Sequence, residues 1–181
     1  MNSFKHSLPY AAGAALISIA FGVVLFVLSM LESPVGFLSI GGFILMTVLG
    51  LKSWREKIMG GVISYGQSFG YLTLLTLSYT VIITIWTFVF GQYIAYDEFK
   101  ELEALKVAEV TNDLRTKYKM SEGDIEKAMS FSKMLSGPGF KLVLTFLGSM
   151  FVLSIINLIT AAFMKKDAPE NFETSPNTAA H

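Results

Sequence analysis

Four stretches of this 181-residue chain carry no formal charge: 26 residues between Lys5 and Glu32, 19 between Glu32 and Lys52, 39 between Lys57 and Asp97, and 23 between Lys141 and Lys165. An α-helix rises about 1.5 Å per residue, so about 20 apolar residues cross a hydrocarbon core of about 30 Å. Every one of these runs reaches or approaches that length. Lipid offers no hydrogen-bond partner to a peptide group, so segments of this kind must close their own N–H and C=O groups as helices. The pattern predicts an all-α, integral membrane fold with the lipid bilayer as its first partner.

Composition narrows the function. The chain is 52% hydrophobic and 15% charged, where soluble domains carry about 25% charge. Its formal net charge is zero and its pI is near 6.7, so the basic field that nucleic-acid binding requires is missing. Cysteine is absent, which excludes a disulfide framework, a thiolate metal site and a thiol nucleophile.

The first apolar stretch, Leu8 to Leu31, exceeds the hydrophobic region of a secretory signal and lacks a small-residue cleavage pattern after it. It reads as a retained span, about 8–31. The second span, about 34–51, follows through Glu32, Ser33 and Pro34 as a tight antiparallel hairpin, with proline at a helix start where its missing N–H costs nothing. The 39-residue run would make about 58 Å of helix, too long for one crossing. Its first part holds Gly60, Gly61, Gly66 and Gly70 with Ser64, Gln67 and Ser68, so the third span is expected at about 71–93, after a Gly-rich segment at or in the membrane. A split into two short spans would put Lys165 and Lys166 on the side opposite Lys52, Arg55 and Lys57, against the positive-inside rule. The fourth span is about 142–164. The expected architecture is a four-helix transmembrane bundle, residues 1–166, in the bacterial cytoplasmic membrane. Lys5, Lys52–Lys57 and Lys165–Lys166 then face the cytoplasm, with both termini inside. Tyr10, Trp54, Tyr93 and Tyr96 suit interfacial anchors; Trp86 falls inside the third span.

The connection 97–141 holds 17 of the 28 formal charges. Phe99, Leu102, Leu105, Val110, Leu114 and Tyr118 recur at helical spacing, with Asp113 and Lys117 at i,i+4. A second amphipathic helix begins at Ser121, where Ser-x-x-Asp through Asp124 reads as a capping box and Met120 can staple onto Ile125. Gly137-Pro138-Gly139 ends it. The two helices are expected to pair as an extracytoplasmic hairpin. Residues 167–181 lack periodicity and read as a disordered cytoplasmic tail.

Three segments, Gly60-Gly61-Val62-Ile63-Ser64-Tyr65-Gly66-Gln67-Ser68-Phe69, Met120-Ser121-Glu122-Gly123-Asp124-Ile125-Glu126-Lys127-Ala128-Met129 and Asn157-Leu158-Ile159-Thr160-Ala161-Ala162-Phe163-Met164-Lys165-Lys166, carry a resemblance. In this order and spacing the chain resembles a family of four-span bacterial membrane proteins, common in Bacteroidota, known as the domain of unknown function numbered forty-one ninety-nine. The resemblance implies the architecture and brings no activity, cofactor or catalytic residue.

Enzymatic chemistry finds no base to work with. His6 and His181 lie at opposite termini, and no expected span contains Asp, Glu, Lys or Arg, whereas proton transfer needs a titratable group within hydrogen-bond reach. The chain is therefore expected to be non-enzymatic, with no cofactor or metal. Asp97, Glu98, Glu101 and Glu103 alternate with Lys100 and Lys106 and read as a solvated helix face rather than a calcium loop. Ser64, Gln67 and Ser68 share one helical face beside Gly66 and Gly70; helix packing is the simpler reading, and a polar element lining a small-solute path the alternative. Gln92 and Asn157 read as interhelical glue. Ala14, Ser18 and Gly22 form a ridge for another helix, of this chain or of a second protomer. Phe99, Leu102, Leu114, Ile125 and Met129 are the candidates for docking a protein partner outside the membrane.

Overall fold

A computed structural model describes residues 3–30, 34–135 and 137–166. The described residues form six α-helices and no strand: α1 (Ser3–Val27), α2 (Leu38–Lys57), α3 (Tyr65–Val89), α4 (Tyr96–Thr116), α5 (Glu122–Leu135) and α6 (Pro138–Met164). A 3-10 turn, Pro34–Phe37, leads into α2, and a π turn, Phe90–Ile94, extends α3. The 167–181 segment, read as a disordered tail, and the Glu32–Ser33 connection lie outside the described residues.

Three helical stretches, Ser3–Val27, Tyr65–Ile94 and Gly139–Met164, are long and apolar enough to cross a membrane. α2 differs because Lys52, Arg55, Glu56 and Lys57 occupy its final turns. Its uncharged part, Leu38 to Leu51, covers about 21 Å. The third helix begins at Tyr65 rather than near Tyr71, because the helix is capped at Ser64. Gly60 and Gly61, at φ +68° and +90°, make the turn before it, a conformation that glycine adopts without the Cβ penalty.

α3 is the central helix and packs against both α1 and α6, while α1 also packs along α2. Ala11, Ala14 and Ala15 of α1 meet Phe43, Leu51 and Trp54 of α2 and Tyr71, Leu72, Leu75 and Tyr79 of α3 in one buried cluster, joined by Leu153 and Ala161 of α6. Small side chains on α1 permit the close approach. At Gly42 a Cβ would lie 2.6 Å from Ile17 Cγ2, so the α1–α2 contact has no room for one.

One end of this assembly collects the ends of four helices. Ile63, between α2 and α3, exchanges backbone hydrogen bonds with Lys166 just past α6, at 2.9 and 3.0 Å. Arg55 Nη1 donates to the Met164 carbonyl at 3.3 Å. His6 near the start of α1 reaches Tyr71 of α3. Lys5, the Lys52–Lys57 group and Lys165–Lys166 thus belong to the same end. At the opposite end the rings of Phe26, Phe90 and Phe99 follow one another edge to face, with centroids 5.1 and 6.4 Å apart.

Candidate functional site

The polar side chains marked out in the sequence separate into three roles. Ser64 is the N-cap of α3: its hydroxyl accepts from the Gln67 N–H at 3.3 Å, and Gln67 Oε1 accepts from the Ser64 N–H at 3.0 Å. This reciprocal pair is a full capping box, which satisfies two donors that a helix start otherwise leaves open. Both side chains remain exposed. Ser68 is buried and donates to the Ser64 carbonyl at 3.0 Å. A Cβ at Gly66 or Gly70 would meet nothing within 4 Å, so neither supports a close helix contact inside the chain.

Asn157 has a different position. It is fully buried on α6, and its Nδ2 donates to Thr76 Oγ1 at 2.7 Å and to the Leu72 carbonyl at 3.4 Å, both on α3. This amide joins the two helices, as glue between apolar segments does. Its Oδ1 and the hydroxyls of Thr80 and Thr84 are buried without a hydrogen-bond partner. By contrast, Ser68, Thr73, Ser78 and Thr160 each donate to the carbonyl one turn back.

Gln92 is exposed in the π turn and lines a cleft of about 650 Å³ between α3, α4, α5 and α6. Phe99, Leu102 and Met129 line it too, so three of the docking candidates meet there. Lys100, Glu103, Lys106 and Lys141 line the same cleft. Lys141 Nζ donates to Glu103 Oε2 at 2.8 Å, and Lys100 Nζ stands 5.8 Å from the centroid of the Tyr96 ring. A second, wholly apolar groove of about 360 Å³ continues from it, sharing Thr84, Phe88 and Leu142 and adding Ile85, Val143, Phe146 and Leu147.

α4 and α5 meet each other beside this cleft. Arg115 donates two hydrogen bonds to the Glu122 carboxylate, at 2.8 and 2.9 Å, and Thr111 Oγ1 lies 3.6 Å from Met129 Sδ. The Arg115 guanidinium holds the Glu122 carboxyl below its usual range, and the carboxylate raises Arg115 in turn. At the start of α5 the Ser121 hydroxyl accepts from the Asp124 N–H at 3.3 Å and donates to Asp124 Oδ2 at 2.7 Å. Asp124 therefore grips the hydroxyl, where a capping box would have it take the Ser121 N–H. Ile125 is only 4% exposed, whereas Leu114 and Met129 are half-buried and Phe99 is exposed.

Residues 9–166 match the model of a family described as Protein of unknown function (DUF4199). The chain belongs to this family. No curated protein and no solved structure matches it. All three segments that carry the resemblance fall inside the matched DUF4199 region, and so do α2 to α6 and the cleft.

Sequence reasoning missed two parts of the DUF4199 site. The first is the aromatic and polar cluster at the charged end: His6 Nδ1 lies 2.9 Å from Tyr71 OH, Ser53 Oγ lies 3.4 Å from His6 Nε2, and Trp54 stacks on Tyr71 at 4.7 Å. Ser18 Oγ joins Tyr79 OH similarly at 3.0 Å. The lone histidine beside an apolar run was the available signal. The second is the convergence of Lys141 with Lys100 and Lys106 of α4, from which it is too far in sequence for any local pattern to unite them.

Proposed function

We propose that this DUF4199 protein is a non-enzymatic, four-span component of the bacterial cytoplasmic membrane, with both termini inside and α4–α5 outside as a hairpin that docks a protein partner. The four-span reading is supported by the short α2. The 3-10 turn Pro34–Phe37 adds about 8 Å to the uncharged part of that helix, bringing it to about 29 Å, close to the hydrocarbon thickness. Lys5, Lys52–Lys57 and Lys165–Lys166 at one end agree with the positive-inside rule.

The observation that carries the docking function is the state of α4 and α5. Both are rich in charge, yet Leu105 is 62% and Phe131 59% exposed, and α4 packs against α5 and the π turn to the same extent. Apolar side chains projecting from a charged helical pair are anchors of the type that seat in a partner's groove. The transport alternative depended chiefly on Gln67, whose side chain is engaged in the α3 cap.

Two measurements test this reading. Because the chain has no cysteine, a single Lys119→Cys or Lys57→Cys substitution creates a unique label site. An impermeant maleimide is expected to label Lys119→Cys on intact spheroplasts and Lys57→Cys only after lysis; the reverse order overturns the orientation. A photocrosslinking residue at Leu105 or Phe131 is expected to give one discrete adduct, and a deletion of Phe99–Met134 is expected to abolish co-purification of the protein found in that adduct. Adducts of identical pattern from an exposed position on α1, such as Leu16, would refute docking by the hairpin.

A further inference from the structure

We infer that the cleft between α3, α4 and α6 is a binding site for an anionic phospholipid, its headgroup against Lys100, Lys106 and Lys141 and an acyl chain in the apolar groove below. The inference rests on the membrane-spanning reading of α3 and α6 and says nothing about the protein partner of the hairpin.

Three features coincide. Three lysines and a single carboxylate, Glu103, line the upper cleft. Counted by formal charge, the lining residues Lys100, Lys106 and Lys141 stand against Glu103, which Lys141 engages. Polar groups that suit phosphate and glycerol oxygens line the same cleft: Gln92, Thr87, Thr145 and Ser132. Lysines at the end of a membrane helix attract anionic headgroups, each contributing on the order of 1 kcal/mol near the surface.

The second feature is depth. Lys141 lies in the first turn of the apolar stretch Gly139–Met164, and Lys100 and Lys106 follow Tyr65–Ile94, so the charges lie where headgroups lie. Thr84 and Phe146 are about one to three helical turns further in along their helices, at about 5.4 Å per turn, where acyl chains begin.

The third feature is continuity. The apolar groove opens from the cleft through Thr84, Phe88 and Leu142, and has no charged residue in its lining. A free phosphate or a soluble metabolite would leave this groove empty; a zwitterionic lipid would fill it but gain less from the lysines. A phospholipid with a net negative charge matches both halves.

The test uses the full chain purified in a neutral detergent and read by native mass spectrometry, with dioleoyl phosphatidylglycerol, dioleoyl phosphatidylcholine and inorganic phosphate as probes. Phosphatidylglycerol is expected to be retained several-fold more than phosphatidylcholine. The pair Lys100→Gln and Lys106→Gln is expected to reduce that retention by about thirtyfold, while Lys57→Gln with Lys165→Gln at the other end leaves it unchanged. Gly91 lines the cleft and a Cβ there meets nothing within 4 Å, so Gly91→Phe narrows it without touching a lysine and is expected to lower binding of both lipids. Circular dichroism and monodisperse elution establish that each variant is folded.

Equal retention of the two lipids by the unmodified protein overturns the inference, as does a loss no greater at Lys100 and Lys106 than at Lys57 and Lys165. Displacement of the lipid by equimolar inorganic phosphate would identify a soluble-anion site instead. The maleimide labelling is independent of all three: lipid retention that depends on Lys100 and Lys106 sustains this site even if the orientation proves reversed.

Discussion

Asn157 Nδ2 of α6 donates to Thr76 Oγ1 of α3 at 2.7 Å, and both residues are fully buried. The pair lies on the longest apolar helices of the chain, where lipid or side chains are the only other surroundings. Polar pairs between apolar helices contribute on average about 0.6 kcal/mol and at most about 1.7 kcal/mol. A double-mutant cycle of Asn157→Leu and Thr76→Val, measured by reversible unfolding in mixed micelles, is expected to give a coupling in that range. Additive single effects would show that the bond does not hold α3 to α6.

Gly42 and Gly22 are both helical glycines, but only one is held in a close contact. A Cβ at Gly42 meets Ile17 Cγ2 at 2.6 Å, and at Gly22 it meets nothing within 4 Å. Isoleucine is branched at Cβ and turns with difficulty, so Gly42→Ala must separate α1 from α2 and is expected to cost about 1–3 kcal/mol. Gly22→Ala gains helix propensity and is expected to stabilise by up to about 1 kcal/mol. Thermal unfolding in detergent compares the two. If Gly22→Ala destabilises as much as Gly42→Ala, a second copy of the chain packs on the Ala14–Ser18–Gly22 ridge.

The same contrast explains what could be read from sequence. Charge-free length identified the three apolar helices, because the cost of exposing peptide groups to lipid acts on every residue of a run. It did not show that the helix already begins at Tyr65, ahead of the expected span, since Gly66 and Gly70 lie within the helix and the cap falls on Ser64. Glycine inside a helix costs only about 1 kcal/mol, less than the capping and burial that favour continuation. The interhelical role of Asn157 was visible as a lone amide in an apolar span. Its partners Thr76 and Leu72 were not, because nothing local fixes how α6 is rotated against α3. Lys141 is separated from Lys100 and Lys106 by the whole of α5, and only the fold brings it to Glu103.

Arg115 and Glu122 provide a pH-dependent contact outside the apolar helices. The Glu122 carboxyl titrates below its usual range in the folded state because Arg115 is bonded to it. A depressed carboxylate adds stability above its unfolded pKa, about 4.3, and loses it as pH falls through the lower folded value. Both side chains are exposed, so the effect is small. Hydrogen exchange of the α4–α5 turn is expected to accelerate as pH falls below about 4, once the intrinsic pH dependence is removed, and Glu122→Gln is expected to abolish that acceleration. An unchanged profile in Glu122→Gln would mean that the turn is held by other contacts.

Trp54 and Tyr71 test the charged end of the molecule. Their rings are stacked at 4.7 Å and 13°, and Tyr71 OH also lies 2.9 Å from His6 Nδ1. The chain has two tryptophans, so Trp86→Phe leaves Trp54 as the reporter. In that background Tyr71→Phe removes the hydroxyl and keeps the stack, at an expected cost of about 1 kcal/mol. Tyr71→Ala removes both and leaves a cavity, which for an aromatic core residue costs about 3–5 kcal/mol. Trp54 emission is expected to stay in place for Tyr71→Phe and to move to longer wavelength for Tyr71→Ala as water or headgroups reach the indole. A shift of equal size in Tyr71→Phe would assign the burial of Trp54 to the histidine bond, with the ring contact following from it.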